Sequence, residues 1–422
     1  MNVITLLEER GFIDQKSSDD VEKLVEKPIN LYVGFDPTAE SLHLGNFVGI
    51  MALLWFQKHG HTPYILLGGA TGRIGDPSGK SQERPLLQEE QIQKNISCLE
   101  SFFIKLFSRF DGPKPVIVNN DSWYKDFSFI DFLRDIGKQF RMGPMLAKES
   151  VKQRLNQEEG MSFTEFSYQM LQGYDFCHLK KQDNVILQMG GSDQWGNITA
   201  GIEYTRKKEA ETVYGITFPL LTRADGKKFG KTEKGAIWLD DKVLSPYQFY
   251  QHLFRVSDAD VIKLMRLLTF MDLEEIQKIE KSMKDPDYIP NTAQKKLAEQ
   301  VTLIVHGQEG LDVALKVTEG AKPGKQTVLS KEVLKEIAKD MPNKQLSKKE
   351  VVGQKISDIA VLIGLVSSKG EMNRLIKNGG AYLNNEKIEQ TTCTIEEKDL
   401  IDDVFLLFGA GKKKKILVSI SE

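Results

Sequence analysis

The chain has 422 residues, enough for about three domains of roughly 150 residues each. Its 57 lysines and arginines are balanced by 59 aspartates and glutamates, which excludes a generally basic nucleic-acid binder. The 3 cysteines have no metal-ligand spacing and are too few for a disulfide framework. No apolar run approaches the roughly 20 residues of a membrane span, and charges interrupt the opening helical pattern where a signal peptide would be apolar. We therefore expect a cytoplasmic protein that does not enter a membrane.

The first predicted strand covers residues 31–35, which are apolar and suited to a buried parallel sheet, and an Asp-Pro-Thr turn ends it. Residues 47–56 are apolar almost all round, which predicts a helix buried beneath that sheet. Ser41 is the expected N-cap, so that His43 and Asn46 would share one face of the first turn. A helix N-terminus beside a strand end suits a phosphate, although this spacing fits two capping-region polar residues equally well.

A second strand is predicted at residues 64–67 and runs into the Gly-rich stretch 68–80. The order of strand, helix, strand and Gly-rich loop is typical of a doubly wound α/β sheet. The glycines match neither the dinucleotide fingerprint nor a Walker loop, so the sequence supports neither NAD binding nor a P-loop. A third strand at 115–118 precedes a predicted helix at 127–140, and the polar segment 140–160 is expected to form inserted surface helices.

Residues 162–179 form the next predicted helix, and its two faces differ. Tyr168, Gln172 and Asp175 lie together on one side at helical spacing. The other side is apolar and carries Phe163, Phe166, Met170, Tyr174 and Cys177. Solvated helix faces are normally rich in lysine and glutamate, whereas this one offers a phenol, an amide and a carboxylate. We therefore favour the wall of a polar pocket over a solvated surface.

A strand at residues 185–189 leads through a Gly-Gly turn into a helix at 198–207, so the arrangement of strand, turn and helix recurs. In an open α/β sheet, ligands bind outside the carboxyl ends of the strands. The loops 34–46, 68–76 and 190–194 should therefore converge on one crevice.

A further strand at 215–221 is followed by the basic loop 227–235, which on its own is equally typical of a solvated charge run. The patterns from 245 to 310 are helical. Residues 320–350 are lysine-rich and indicate a linker, with one short helix at 331–339.

The sequence thus predicts four parts. An α/β domain with a Rossmann-like, doubly wound parallel sheet covers residues 1–225, with a polar insertion near 115–160. The basic loop and an α-helical domain follow at 226–320, then a linker at 321–350 and a small α+β domain at 351–422.

The small domain should contain helices at 356–364 and 369–377 and strands at 381–383, 404–408 and 416–420. Its cations are bunched, which suits the phosphate backbone of a nucleic acid, although a solubilising tail fits the charge nearly as well. The candidate RNA-binding residues are Lys369, Arg374, Lys377, Lys412, Lys413, Lys414 and Lys415.

Taken together, these motifs resemble those of bacterial and organellar tyrosyl-tRNA synthetases, which are class I aminoacyl-tRNA synthetases, and the resemblance runs essentially end to end. His43-Leu44-Gly45-Asn46 is similar to the His-Ile-Gly-His signature of the class, and Lys228-Phe229-Gly230-Lys231-Thr232 to its Lys-Met-Ser-Lys-Ser loop. The stretches 32–38, 75–79 and 190–197 are similar to segments of the tyrosine enzymes. Each signature alone is degenerate, but their combination in this order is specific.

The resemblance implies activation of L-tyrosine with ATP to tyrosyl-adenylate, release of diphosphate, and transfer of the tyrosyl group to the 3′-terminal adenosine of tRNA(Tyr). A carboxylate is already a nucleophile, so the first step needs alignment and charge stabilisation rather than a general base. Magnesium would arrive with ATP, and no tightly bound protein metal is expected.

The resemblance also assigns roles to the matching residues. The phenol would be bound by Tyr32 and Asp175, and the rest of the amino acid by Asp76, Tyr168, Gln172 and Gln194. The ATP-binding residues would be Gly34, Asp36, His43, Gly45, Asn46, Gly191, Asp193 and Lys231. The catalytic residues around the departing phosphates would be Thr38, His43, Lys80, Arg84, Lys228, Lys231 and Thr232.

Further implications are a homodimer, formed through the insertion after Pro115, and tRNA binding by the small domain. Asn46 departs from the final His of the signature: it can donate a hydrogen bond but cannot carry charge. We therefore expect ATP contacts at this position to be independent of pH near neutrality.

Two alternatives remain open at this stage. A tryptophan-specific synthetase shares the fold and both signatures, and a non-catalytic RNA-binding protein could keep the scaffold. Asp175 on the pocket face and the additional small domain favour tyrosine. The presence of His43, Asp76, Lys228 and Lys231 favours an enzyme.

Overall fold

The structure, a computed structural model, describes the chain except residues 1, 81, 85–86, 159, 227–228, 233–234, 321–333, 335–341, 412–413 and 422. At 231–232 and 320 it describes the backbone alone. The described residues form two compact units: Met1–Leu244 with Leu253–Val305, and Ser245–His252 with His306–Glu422. No helix in the described part of the chain is long and apolar enough to cross a membrane.

The strands are β1 (Gln15–Lys16), β2 (Asn30–Phe35), β3 (Thr62–Leu67), β4 (Val116–Asn119), β5 (Val185–Gly191), β6 (Tyr214–Phe218), β7 (Lys231–Thr232), β8 (Gly235–Ala236), β9 (Asn343–Ser347), β10 (Ala381–Leu383), β11 (Glu386–Lys387), β12 (Phe405–Ala410) and β13 (Lys414–Ser421).

The helices are α1 (Val3–Glu9), α2 (Val21–Leu24), α3 (Phe47–Lys58), α4 (Glu89–Phe107), α5 (Asp121–Tyr124), α6 (Phe129–Asp135), α7 (Met142–Leu146), α8 (Glu149–Leu155), α9 (Phe163–Asp183), α10 (Trp195–Glu209), α11 (Pro246–Phe254), α12 (Asp258–Leu268), α13 (Leu273–Ser282), α14 (Thr292–Gly320), α15 (Lys348–Val351), α16 (Ile356–Leu362) and α17 (Lys369–Lys377).

The first unit is built on a sheet with the strand order β1-β6-β5-β2-β3-β4. Strands β6, β5, β2, β3 and β4 are parallel, and β1 is antiparallel at one edge. From β2 the chain winds through α3 towards β3, and later through α10 from β5 towards β6. The direction therefore reverses between β2 and β5, where a doubly wound sheet leaves a crevice. The prediction of a doubly wound parallel sheet is confirmed.

Helix α3 is buried along almost its whole length, as its all-round apolar sequence predicts. Its start differs from the prediction, because Asn46 is the N-cap and Ser41 is not. The Ser41 hydroxyl donates to the Leu42 carbonyl at 2.9 Å and accepts from the Asp240 N–H at 3.0 Å. His43 precedes the helix, since it forms an antiparallel bridge with Trp238 that keeps the segment extended.

The inserted region also departs from the prediction. Instead of one helix at 127–140, the chain forms α6 and then a 3₁₀ turn at Gly137–Gln139. The Ser128 side chain caps α6 by accepting from the Asp131 N–H at 3.1 Å. Helices α7 and α8 follow in the polar segment, as predicted.

The second unit contains a sheet with the order β11-β10-β12-β13-β9. Strand β9 pairs in parallel with β13, although its residues were predicted as part of the linker 321–350. Its sequence, Asn-Lys-Gln-Leu-Ser, is mostly polar and exposed, and so gives no strand pattern. The predicted short helix at 331–339 lies outside the described residues, apart from Leu334, which is buried.

Candidate active site

A cavity of about 340 Å³ opens at the carboxyl ends of the central strands of the first unit. The three predicted loops all contribute to its wall. The predicted site residues that line it are Tyr32, Gly34, Asp36, Thr38, His43, Gly45, Asn46, Asp76, Lys80, Arg84, Tyr168, Gln172, Asp175, Gly191, Asp193 and Gln194. Of the basic loop, Phe229 and Gly230 reach the cavity. Lys228 lies outside the described residues, and the side chains of Lys231 and Thr232 are not described.

One end of the cavity pairs a phenol with a carboxylate. Tyr32, in the middle of β2, is 1% exposed, and its Oη has no hydrogen-bond partner among the described residues. Asp175, on α9, accepts hydrogen bonds from Trp123 Nε1 at 2.9 Å and from Asn120 Nδ2 at 3.1 Å. Burial raises the pKa of Asp175 to about 7, against the opposing effect of those donors. An unpartnered buried hydroxyl is costly, so this end is suited to a ligand that supplies a polar atom.

In another part of the cavity, side-chain amides surround the Asp76 carboxylate. Its Oδ2 accepts from Gln194 Nε2 at 2.6 Å, and its Oδ1 accepts from the Ser78 N–H at 3.0 Å. Asn197 Nδ2, on α10, donates to Gln172 Oε1 at 3.0 Å and so joins α9 to α10. These contacts fix the Asp76 carboxylate in an orientation that a cationic group in the cavity could approach.

Asp36 follows β2 and is fully hydrogen-bonded. Tyr168 Oη donates to its Oδ2 at 2.8 Å, and Thr71 Oγ1 donates to its Oδ1 at 2.8 Å. Burial raises the pKa of Asp36 to about 6, while both hydroxyl donors act in the opposite direction. Burial also raises the pKa of the Tyr168 hydroxyl well above its ordinary value. The Tyr168 hydroxyl therefore donates to Asp36, whereas the resemblance implies that it contacts the substrate amino acid.

The signature segment turns sharply between the strand and the helix. The His43 N–H donates to Asn46 Oδ1 at 3.1 Å, so the amide that replaces the expected imidazole closes the turn. At Gly45 a Cβ would lie 2.9 Å from His43 Cε1, so a larger residue there would have to displace the His43 ring. The predicted placement of His43 and Asn46 on one face of the first helical turn is therefore wrong.

The basic loop is attached to the same segment. The Leu44 N–H donates to the Ile237 carbonyl at 2.8 Å, and the Leu239 N–H donates to the Leu42 carbonyl at 2.8 Å. On the other side of the loop, a Cβ at Gly230 would lie 3.3 Å from the Gly45 nitrogen. Gly230 has φ 88°, a conformation that favours glycine.

Several residues of the site were missed in the sequence. Asn120 follows β4 directly, and the strand-end rule applied to the other loops would have found it. Gln188 is a polar residue inside a buried strand, 2% exposed, and its Oε1 has no partner among the described residues. Trp123 and Asn197 had no such signal, because their roles depend on contacts with distant parts of the chain.

The candidate RNA-binding residues belong to the second unit and differ in their surroundings. Arg374 and Lys377 are exposed on α17, and Lys414 is exposed at the start of β13. Lys369 forms an ion pair with Asp358 at 3.0 Å. Lys415 Nζ donates to Asn385 Oδ1 at 2.9 Å, and burial lowers the pKa of Lys415 to about 8. Lys412 and Lys413 lie outside the described residues.

The comparisons with known proteins agree with this fold. Residues 23–321 match the family model of class I tRNA synthetases for tryptophan and tyrosine, so the chain belongs to class I. Residues 333–418 match the model of a tyrosine–tRNA ligase C-terminal domain.

Individual relatives narrow the assignment. The chain is 55% identical to a tyrosine–tRNA ligase of Protochlamydia amoebophila, over 100% of this chain and 99% of the relative. It is 49% identical to the chloroplastic and mitochondrial tyrosine–tRNA ligase of Arabidopsis thaliana, over 100% of this chain and 84% of the relative. The mitochondrial tyrosyl-tRNA synthetase of Aspergillus nidulans, truncated at its C-terminus, superposes with a TM-score of 0.65 at 30% identity and covers 74% of this chain and 92% of its own. Within class I, the chain belongs to the tyrosyl-tRNA synthetase family.

Proposed function

We infer that the cavity activates L-tyrosine with ATP to tyrosyl-adenylate, releasing diphosphate, and that the tyrosyl group then passes to the 3′-terminal adenosine of tRNA(Tyr). The main observation in support of this function is that Tyr32 and Asp175 lie together at the buried end of the cavity. The Tyr32 hydroxyl lacks a partner among the described residues, and the Asp175 carboxylate can accept one more hydrogen bond. The phenol of the substrate accepts a hydrogen bond from the Tyr32 hydroxyl and donates one to the Asp175 carboxylate.

The rest of the amino acid extends from this end towards the phosphates. Asp76 and Gln172 hold the ammonium group, supported by the amides of Gln194 and Asn197. Tyr168 acts through Asp36, to which its hydroxyl is bonded, while Asp36 lies with Gly34, Gly191, Asp193 and Gln194 along the ribose and the aminoacyl group. The substrate carboxylate is thereby directed towards the nucleotide.

Activation then requires positioning and charge stabilisation. The tyrosine carboxylate attacks the α-phosphate of ATP, and negative charge moves onto diphosphate as the phosphoanhydride bond breaks. Thr38 and His43 bind the γ-phosphate, and Gly45 with Asn46 lies against the nucleotide. The cations and hydroxyl around the leaving group are Lys80, Arg84, Lys228, Lys231 and Thr232. Magnesium enters as part of the ATP complex, held mostly by phosphates and water.

The second half of the reaction uses the small domain. Residues 351–422 bind tRNA(Tyr) while residues 1–225 carry the chemistry, and the cations Arg374, Lys377 and Lys414 contact the phosphate backbone. Lys369 and Lys415 contribute less than their sequence suggests, since each already has a partner within the domain. The reaction belongs to the cytoplasm, where the unpaired cysteines of the chain are stable.

A homodimer is supported by an apolar surface in the inserted region. Exposed fractions there are 66% for Phe129, 67% for Ile130, 59% for Met142 and 62% for Phe163. Phe163 was predicted on the dry face of its helix, and its exposure indicates that another surface covers it. Ile130→Asp should produce monomers in sedimentation equilibrium. Ile104→Asp, which alters an equally exposed residue on α4, should leave the dimer intact, and equal behaviour of both variants would contradict the interface.

The overall proposal is tested by ATP–diphosphate exchange with purified protein, run with tyrosine, with tryptophan and with no amino acid. Exchange should depend on tyrosine alone. Asp175→Ala should reduce tyrosine activation much more than it reduces the unfolding midpoint. Exchange driven by tryptophan would reassign the substrate, and no exchange with any amino acid would favour a non-catalytic RNA-binding protein.

A further inference from the structure

At the phenol end of the cavity, the described residues surround a buried carboxylate, Asp175, with neutral hydrogen-bond donors. Asp175 is 2% exposed, and the groups that hydrogen-bond to it, Trp123, Asn120 and Tyr124, are all neutral donors. The titratable groups that act on it from the surrounding elements are Tyr32 and Asp36 of β2 and its loop, Tyr124 of α5, and Tyr168 and Tyr174 of α9. None of these is a cation. Arg84 acts on Asp36, at the nucleotide side of the cavity.

We propose that this pocket admits a phenol ring only with a single proton held between the ring oxygen and Asp175, so that it rejects ring-ionised tyrosine analogues by charge. The inference rests on the proposed tyrosine activation and adds a criterion of selection to it. Two negatively charged oxygens at hydrogen-bond distance in a buried site cannot both remain unprotonated without a cation. The Tyr32 hydroxyl has one proton to donate, which can stabilise one of the two oxygens but not both.

The proton has a different source for different substrates. Tyrosine keeps its own phenolic proton through neutral and mildly alkaline pH, so above about pH 7 it meets Asp175 as a carboxylate. An analogue with an acidic phenol arrives as a phenolate, so the proton must come from Asp175. Because burial raises the pKa of Asp175 to about 7, that supply is present below about pH 7 and is lost as the pH rises above it. The kcat/KM of the analogue should therefore fall about tenfold per pH unit above that point, while that of tyrosine stays level.

Ring-fluorinated tyrosines supply the probes, since fluorine changes the size of the ring little and makes the phenol more acidic with each substitution. Diphosphate exchange is measured for tyrosine, a monofluorinated and a tetrafluorinated tyrosine from about pH 6 to about pH 9. The ratio of the tetrafluorinated analogue to tyrosine at each pH cancels groups that act on both substrates. This ratio should fall about tenfold per pH unit wherever the analogue's phenol is ionised, because the analogue needs protonated Asp175 and tyrosine needs its carboxylate. In Asp175→Asn, which has no carboxylate, the ratio should be level.

A second readout does not depend on that variant folding. Calorimetric titration of the unaltered protein with the tetrafluorinated analogue, in two buffers of different ionisation enthalpy, counts the protons taken up. About one proton should be taken up per ring bound above about pH 7, and none with tyrosine. A level ratio with no proton uptake, or rejection of the fluorinated ring at every pH, would overturn the charge criterion. Loss of exchange with tyrosine itself would instead overturn the proposed function.

Discussion

Removing the Tyr32 hydroxyl should change stability and activity in opposite directions. The Oη atom is buried and has no partner among the described residues, so Tyr32→Phe removes a desolvated polar group without breaking a hydrogen bond of the ligand-free protein. The ring contact with Phe176, at 5.4 Å between centroids, is retained. The variant should therefore fold at least as well as the parent and activate tyrosine less well.

The expected magnitudes follow from the two environments of the hydroxyl. A buried polar group without a partner costs about 1–3 kcal/mol, part of which the variant recovers in the free protein. With tyrosine bound, the lost hydrogen bond between neutral groups is worth about 0.5–1.5 kcal/mol, or roughly a 2- to 13-fold decrease in kcat/KM. The free energy of unfolding should rise by about 1 kcal/mol without ligand.

The assays are ligand-free thermal unfolding and diphosphate exchange over a range of tyrosine concentrations. Tyr64→Phe is the matched control, because Tyr64 is the register neighbour of Tyr32 on β3 but does not line the cavity. The control should leave kcat/KM for tyrosine unchanged. A destabilised Tyr32→Phe with unchanged kinetics would show that the hydroxyl serves the fold, and would refute the reasoning.

Other perturbations address structure and RNA binding. Arg10 donates to the carbonyls of Arg266, Thr269 and Met271 at 2.9, 2.6 and 2.7 Å. Arg10→Met should therefore lower the urea midpoint of unfolding by an amount equivalent to about 2–5 kcal/mol. An unchanged midpoint would contradict this stabilising role. Glu165→Ala removes the carboxylate that pairs with buried Arg154 at 2.6 Å, and should lose about 3–5 kcal/mol in the same measurement. The double variant Arg154→Met, Glu165→Leu should recover most of that loss, and a fully additive loss would argue against the ion pair. Arg374→Gln should reduce the slope of log affinity for tRNA against log salt by about 0.7–0.9, more than Lys369→Gln, and equal slopes would place Arg374 outside the interface.

The sheet and the cavity could be predicted because they depend on local pattern and on general rules of α/β topology. Apolar strands such as residues 31–35, each followed by a glycine-rich or capping turn, identify the parallel sheet and the edge at which ligands bind. The polar face of α9 was correctly identified as a cavity wall, because a phenol, an amide and a carboxylate together are unusual on a solvated helix.

The features that could not be predicted depend on contacts between distant residues. Ser41 has the composition of an N-cap, but its hydroxyl is bonded to Leu42 and Asp240 instead. Strand β9 has no apolar alternation, and its place in the sheet is decided by its partner β13. The engagement of Tyr168 with Asp36 joins residues 132 positions apart. Local sequence contains no information about any of these pairings.

The contacts between the basic loop and residues 42–45 limit how the sequences of the two signature motifs can vary. Residues 237 and 239, which follow the basic loop, are hydrogen-bonded to residues 44 and 42 of the signature segment. Within the loop, Gly230 lies against the Gly45 nitrogen. A larger residue at Gly230 would strain the backbone, because φ there is 88°, and would press on the Gly45 nitrogen, so it would disturb the contact between the two motifs. The two motifs are therefore packed against each other at Gly45 and Gly230, so the residue allowed in one motif depends on the backbone of the other. Replacing either motif alone with that of a relative should disturb this packing contact, whereas exchanging both motifs together should preserve it.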